Sequence, residues 1–405
     1  MKSLLILKGL AKTEKQKWIK SEKLENYFLD ISDFRKLYSA PELIKPGIEA
    51  LGRSYGTLVY QRFIEALIIR LGKGCLIIVD LDEDPVVSIE NLAMIHGYTV
   101  FYKVFPVPQD YCNFPKKYNL PWQICKKKEE LDDCVKNFLN LQLGDKLIIN
   151  SYSDILDYWI GKETVLKLEK DDSIIHVSDI HSNHSLWKKE VKSLNNKPII
   201  HHGDYIDGPE VGGSKKIITE IIKDNGSHGW YWLEGNHEIR LRRYLGWIVM
   251  KAAGSKTTTD LLYSLIPEDF LNTTANEFKN LTPKEARSWL LELNKKLKTH
   301  VIINRGKETF ICTHSGIRLL EQLNPKHIGN IIYGNRDIDT YDKTFSNLNK
   351  RTSYISVHAH CKYPKGWNPE KYDKVYNIDP ENETSIVIFN NQKNNKNFKV
   401  CQKLQ

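Results

Sequence analysis

No two of the seven cysteines form a CxxC pair, and no apolar stretch approaches the ~20 residues that a membrane span requires. The cysteines stand singly at positions 75, 112, 125, 134, 312, 361 and 401. An odd, unpatterned set argues against a disulfide framework or a zinc knuckle and fits thiols kept reduced inside a cell. The apolar start at Ser3–Leu7 is cut by Lys8, too early for a secretory core, so the expected location is the cytoplasm with no membrane association. Internal repeats are lacking, and the one biased stretch is the Asn/Lys-rich segment 390–397. Neither sign of charge dominates: 59 Lys and Arg against 50 Asp and Glu leave a net +9, which suits an anionic partner without naming one.

What the chain does have is length for two domains and a strand–helix alternation that runs twice. In the first half, strands are expected at Leu4–Leu7, Tyr27–Ile31, Cys75–Val79 and Thr99–Phe105, with helices at Glu14–Leu24 and Val59–Leu71 and a further one opened by Pro85. The expected division is a domain at 1–145, a linker at 146–172 and a domain at 173–405 with a helical insert at about 247–298. The fold class is α/β in both halves. The basic stretch Lys116–Lys128 reads as solvated surface.

In the second half, five expected strands end directly on Asp, His or Asn. The residues are Asp179 and His181, then Asp204, then Asn236 and His237, then His314, then His358 and His360. Strand C-termini are where ligands gather in α/β sheets. One strand ending in His is ordinary packing; five in succession, with mixed oxygen and imidazole donors, describe a metal centre. Two divalent ions ~3.5–4 Å apart need several ligands each and a shared carboxylate. The mixed donor set suits Mn, Fe, Zn or Ni better than Mg alone. His184 and His202 read as supporting residues near the site, and Trp187, Trp230 and Trp232 as core.

Asp-x-His at 179–181, Gly-Asp-x-x-Asp at 203–207, Gly-Asn-His-Glu at 235–238, Thr-His-Ser-Gly around His314 and His-x-His at 358–360 resemble the calcineurin-like metallophosphoesterases. Within that superfamily they look most like the phosphoprotein phosphatases and bacterial polynucleotide phosphatases. The resemblance implies an α/β sandwich in which Asp179, His181 and His360 hold one metal, Asp204 bridges, and Asn236, His314 and His358 hold the second. Two manganese ions are the expected pair. His237 would be the general acid, paired with Asp207. That branch next has Arg-Gly, the Arg gripping phosphate; here Gly208-Pro209 follows, and Arg240, Arg242 and Arg243 are candidate substitutes.

The first half resembles the kinase domain of phage-type polynucleotide kinase-phosphatases, carried by Gly9…Lys15, by Phe28–Arg35, by the strand ending at Asp80 and by Gly97–Pro108. A working P-loop is GxxxxGK[ST]. Gly9 and Lys15 fit that frame, whereas Glu14 replaces the second glycine and Gln16 the hydroxyl residue. Ser32 stands where that family has its catalytic Asp, beside Asp33, and Arg35 takes the place of its phosphate-contacting Arg. The resemblance implies a P-loop kinase-like parallel-sheet domain that has lost phosphoryl transfer.

The combined expectation is an enzyme acting on nucleic-acid ends, RNA ahead of DNA, as a 3′-phosphatase or 2′,3′-cyclic phosphodiesterase. The alternatives are a protein Ser/Thr phosphatase, a dinucleoside polyphosphate hydrolase, or a nucleic-acid-binding module with a vestigial site.

Overall fold

The computed structural model describes residues 2–9, 12–38, 53–74, 76–80, 86–105, 146–170, 172–192, 194, 197–254, 256–315, 326, 354–359, 375–378, 385–392 and 395–402. The chain divides into two compact units, Lys2–Ala93 with Tyr98–Trp159, and Ile160–Gln405 with Met94–Gly97.

In the first unit the order is β1 (Ser3–Lys8), α1 (Lys12–Ser21), β2 (Phe28–Asp30), α2 (Ile31–Tyr38), α3 (Arg53–Leu71), β3 (Ile77–Asp80), α4 (Val86–Ile95), β4 (Thr99–Val104), β5 (Leu147–Ile148) and α5 (Tyr152–Ile160). The strands lie in the order β2-β3-β1-β4-β5, and every pairing is parallel. β1 and β3 are buried along their whole length, the continuous apolar run expected of central parallel strands. Leu5, Leu7, Ile78 and Phe101 pack with Ile19 of α1 and Tyr152 and Ile155 of α5 in one core.

That last contact corrects the expected linker. Residues 146–172 contain β5, which joins this sheet, and α5, whose start is held by Asp154 accepting from the Asn150 and Ser151 amides at 2.6 and 3.1 Å. They also contain β6 (Val165–Leu168), which belongs to the second unit and pairs there with a later strand.

The second unit continues with β7 (Ile174–Ser178), α6 (His184–Lys192), β8 (Ile199–His201), α7 (Gly213–Lys223), β9 (Trp230–Leu233) and α8 (Asn236–Ala252). The expected helical insert follows as α9 (Lys256–Ser264), α10 (Glu268–Asn272), α11 (Ala275–Phe278) and α12 (Pro283–Lys296). α12 is opened by Thr282, whose side chain accepts from the Glu285 amide, with Pro283 at the first helical position. The remaining strands are β10 (Leu297–Lys298), β11 (His300–Arg305), β12 (Glu308–Thr313), β13 (Tyr354–His358), β14 (Val375–Asn377), β15 (Ser385–Gln392) and β16 (Asn395–Gln402).

They form two sheets, β10-β9-β8-β7-β15-β16 and β14-β13-β12-β11-β6. Ile174, Ile200 and Leu233 of the first meet Val301, Ile303, Phe310, Cys312 and Val357 of the second, so the core is the filling of a sandwich. β7, β8 and β9 run parallel, as do β12 and β13, which brings the expected ligand-bearing strand ends to one edge. Among the described residues no helix is long and apolar enough to cross a membrane.

Candidate active site

At the strand ends the backbone is bent into conformations that side chains resist. Six non-glycine residues among those described have left-handed φ, and five are Asp179 (44°), His181 (40°), Ser182 (61°), Asp204 (51°) and Asp207 (63°). Asp and His tolerate this region better than most residues, yet each instance still costs on the order of 1–3 kcal/mol. The bends are held by neighbours. The His181 and Ser182 amides donate to the Asp204 and Tyr205 carbonyls at 2.9 Å each, tying the first ligand loop to the second. Gly203 and Gly235 let the second and third loops touch. A Cβ on Gly203 would stand 2.8 Å from Gly235 Cα, and one on Gly235 would stand 2.3 Å from Asp204 Oδ1.

Those loops aim lone pairs at one another. His314 Nδ1 donates to the His202 carbonyl at 2.5 Å, which leaves Nε2 of the neutral ring as an acceptor. That Nε2 faces Asn236 Oδ1 at 3.1 Å and Asp204 Oδ1 at 3.4 Å. Atoms this close need a positive charge among them, a proton on Nε2 or a metal ion. On the other side, His181 Nδ1 donates to the Ile206 carbonyl at 3.1 Å, and its Nε2 stands 3.8 Å from Asp179 Oδ1. His181, Asp204 and His237 bring ligand atoms within 4.8 Å of one another. Asp204 thus stands between both groups, as a bridging carboxylate would. His358 is fully buried, and burial, reinforced by His202 and His314, pulls its imidazole down to about 3. A ring held neutral is what a metal needs. The donor set fits a pair of divalent ions. His360 lies outside the described residues.

His237 differs from the ligand histidines. Its Nδ1 donates to Asp207 Oδ2 at 2.8 Å, and its side chain keeps some exposure. Burial alone would lower its pKa, but the charge of Asp204 and the Asp207 hydrogen bond outweigh that and raise it. A ring that favours its proton is suited to donating one.

Of the three candidate arginines, one stands at the site. Arg240 Nη1 reaches Asp207 Oδ2 at 3.1 Å and Asp269 Oδ2 at 3.5 Å. Arg242 is 2% exposed and paired with Glu234 at 2.6 Å, and Arg243 donates to the Leu265 carbonyl. Both are structural. Helix geometry explains the error: Arg240 follows His237 by three residues and shares its face, whereas Arg242, five residues on, falls about 140° round.

A family model for calcineurin-like phosphoesterases matches residues 173–389, more than half of the chain. The chain belongs to that family. Its members are metal-dependent hydrolases that typically use two divalent ions. Among solved structures, a candidate diadenosine tetraphosphatase is 16% identical, with 60% of this chain and 100% of that one covered at a TM-score of 0.38. A serine/threonine phosphatase from Saccharomyces cerevisiae is 13% identical, with 69% and 97% covered and a TM-score of 0.38. A cold-active protein-tyrosine phosphatase from a psychrophilic Shewanella species is 12% identical, with 59% and 83% covered and a TM-score of 0.33. At these scores none assigns a substrate to this phosphoesterase. No curated protein matches the sequence.

Two residues support the phosphoesterase site, and one of them was not anticipated. Glu238, fully buried, accepts from the Gly235 and Asp204 amides at 2.9 and 3.0 Å and from the Tyr205 amide at 2.8 Å, clamping the second loop to the third. Its signal was available, because a Glu at the third position of a helix reaches back to the cap. His202, expected near the site, donates from Nδ1 to the Thr313 carbonyl at 2.9 Å and takes a hydrogen bond from His176 at 3.1 Å. It therefore fixes the strand end that carries His314. Trp187 and Trp232 are core, as expected, while Trp230 is half-buried.

The described residues of the expected nucleotide site are engaged in the fold of the first unit. Gly9 follows the end of β1 at Lys8, and α1 begins at Lys12, two residues before the expected helix start, so Glu14 and Lys15 lie on a helix. Lys15 is 1% exposed and paired with Asp80 at 2.7 Å. Ser32 is buried at the start of α2, Asp33 is exposed beside it, and Arg35 lies on α2 with its side chain outside the described residues.

Proposed function

We propose that this phosphoesterase hydrolyses terminal phosphates of polynucleotides, RNA ahead of DNA, as a 3′-phosphatase or 2′,3′-cyclic phosphodiesterase. One observation supports the reading: a single chain joins the phosphoesterase site to a separate all-parallel α/β unit in which Gly9 follows the central strand and Lys15 stands on the next helix, at the spacing of a phosphate-binding turn. The net charge of +9 suits a polyanion and a cytoplasmic role on nucleic acid. The unit contributes binding and no phosphoryl transfer.

In this reading Asp179, His181 and His360 would hold one ion and Asn236, His314 and His358 the other, with Asp204 shared. Manganese suits this mixed set better than magnesium. When bound, the two ions supply Lewis acidity toward the phosphate and a water of lowered pKa. The chain does the rest. Asp207 keeps the Nδ1 proton of His237 in place, so Nε2 is the atom that delivers a proton to the departing oxygen. Arg240 Nη1 reaches the same Asp207 oxygen, Oδ2, at 3.1 Å and steadies it.

The test is to incubate manganese-treated protein with oligonucleotides bearing 3′-phosphate, 2′,3′-cyclic phosphate or 5′-phosphate, beside a phosphopeptide and diadenosine tetraphosphate. Turnover of one of the first two ahead of all others is expected. Preference for the phosphopeptide or the diadenosine compound would replace this reading with the corresponding alternative.

A further inference from the structure

The position where the related branch has arginine cannot hold a side chain here. A Cβ on Gly208 would fall 1.6 Å from the carbonyl oxygen of His181, and the Gly208 amide is bound to Ser182 Oγ at 3.0 Å. The backbone after Asp207 has closed onto the ligand loop. Beyond it lies a groove of about 1120 Å³ that begins at Gly208 itself. One wall is the 208–212 loop, the other is the segment 272–277, and residues of α6 and α7 line the rest. The groove thus starts one residue after Asp207, the partner of the acid His237.

Its charge decides what it can take. Lys188, Lys215 and Lys216 are matched by Glu210, Glu220 and Glu277. Lys188 pairs with Glu220 at 3.0 Å, Lys216 lies 3.7 Å from Glu210, and Glu277 accepts from the Lys215 amide at 2.8 Å. Three against three leaves no surplus for a run of phosphates or for acidic residues around a phosphoamino acid. What remains are neutral donors and acceptors, Asn272, Thr274, Asn276 and His184, among apolar surface from Pro209 and Val211. His184 is 9% exposed, and its Nε2 makes no hydrogen bond among the described residues, standing 3.6 Å from Glu220. Carboxamides read base edges in single strands, and apolar surface accepts a base face.

We propose that this groove is the leaving-group subsite and takes the nucleoside next to the scissile phosphate, doing by base and ribose contact what the missing arginine does by charge. The proposal rests on the polynucleotide reading above. Asn276→Trp and Val211→Trp each place bulk in the groove from opposite walls at exposed positions. In the full-length chain the expected result is a fall of about tenfold or more in kcat/KM for a 3′-phosphorylated dinucleotide relative to para-nitrophenyl phosphate, the scale of losing a central contact. The loss should sit in KM. The 3′-hydroxyl dinucleotide should inhibit aryl phosphate hydrolysis by the natural chain and inhibit both variants less.

An unchanged ratio in both variants, with the dinucleotide still hydrolysed, overturns the groove and leaves the functional reading standing. Inhibition by the 3′-hydroxyl dinucleotide that the variants relieve, in a protein that fails to hydrolyse the phosphorylated one, supports the groove and defeats that reading. Loss of phosphopeptide turnover in place of dinucleotide turnover makes the groove a peptide site and overturns the proposal.

Discussion

The two units each carry a crevice at the C-terminal ends of parallel strands, and the two crevices differ in how their backbone and charges are held. In the phosphoesterase unit, five ligand-loop residues sit in left-handed conformations and the acceptors of His314, Asn236 and Asp204 face one another. In the first unit, none of the described residues from Lys8 to Lys15 other than Gly9 has positive φ, and the one lysine kept from the P-loop frame is neutralised by Asp80. Strain and facing like partial charges persist where a ligand compensates for them, and the described residues of the first crevice carry neither. Topology alone would have assigned both crevices the same work.

The largest effect that would break this comparison is at Asp204. Asp204→Ala removes the residue standing between both donor groups, and hydrolysis of an aryl phosphate should fall by at least about 100-fold, with chelation matching it. Manganese should restore the chelated natural protein better than magnesium and should not restore the variant. Full activity in Asp204→Ala would show that the strained loops hold no essential metal. Next comes His237→Ala, expected to cost ~10²–10⁴-fold on an alkyl phosphate, whose alkoxide leaves poorly, and far less on a nitrophenyl ester. Asp207→Asn should follow the same pattern more mildly. Equal losses on both esters would make His237 a ligand.

These contrasts were partly legible in the sequence. The convergence of the strand-end residues was, because each closes an apolar strand and the period of strand then helix repeats around them. His181, Asp204, Asn236 and His314 meet in space as that pattern implies. Arg242 and Arg243 were misread for want of one step of helix arithmetic. The start of α1 two residues before the expected Glu14 was invisible for a different reason: Lys12 and Thr13 offer no apolar side chain to mark a face. β5, two residues long, is too short to leave a period at all, and it hid the packing of 146–160.

A smaller effect sharpens the comparison from the other side. If Lys15 is structural, Lys15→Ala should lower stability by about 3–5 kcal/mol, because Asp80 is left charged and buried, while Lys15→Met with Asp80→Leu should lie close to the natural chain. Urea unfolding of the three proteins checks this. Correspondingly, γ-labelled ATP or GTP should leave no label on a 5′-hydroxyl oligonucleotide, tested in His237→Ala protein so that the phosphatase cannot erase it. Label that vanishes in Lys15→Ala, without a loss of stability, would mean that the first crevice still works.

The smallest expected effect concerns Lys8, the last residue of β1. Burial, and then the charge of Lys15, lowers its pKa from 10.5 to about 8. Between those two values the unfolded chain keeps a proton that the folded chain has released. Stability must therefore rise with pH through that window, by no more than about 1.4 kcal/mol per unit. We expect roughly 1 kcal/mol between pH 8 and 9 from this group, read as the difference in urea unfolding between the natural chain and Lys8→Met. The variant should lack the rise and should be the more stable at pH 7, where the natural chain carries a buried ammonium. ATP supplies the discriminating arm. A phosphate bound at the end of β1 would favour the charged amine, hold the proton in the folded state and flatten the slope. If the crevice is packing alone, the slope is the same with ATP as without it. A slope that ATP removes would mean the crevice still takes a phosphate, and the contrast between the two units would then be one of degree.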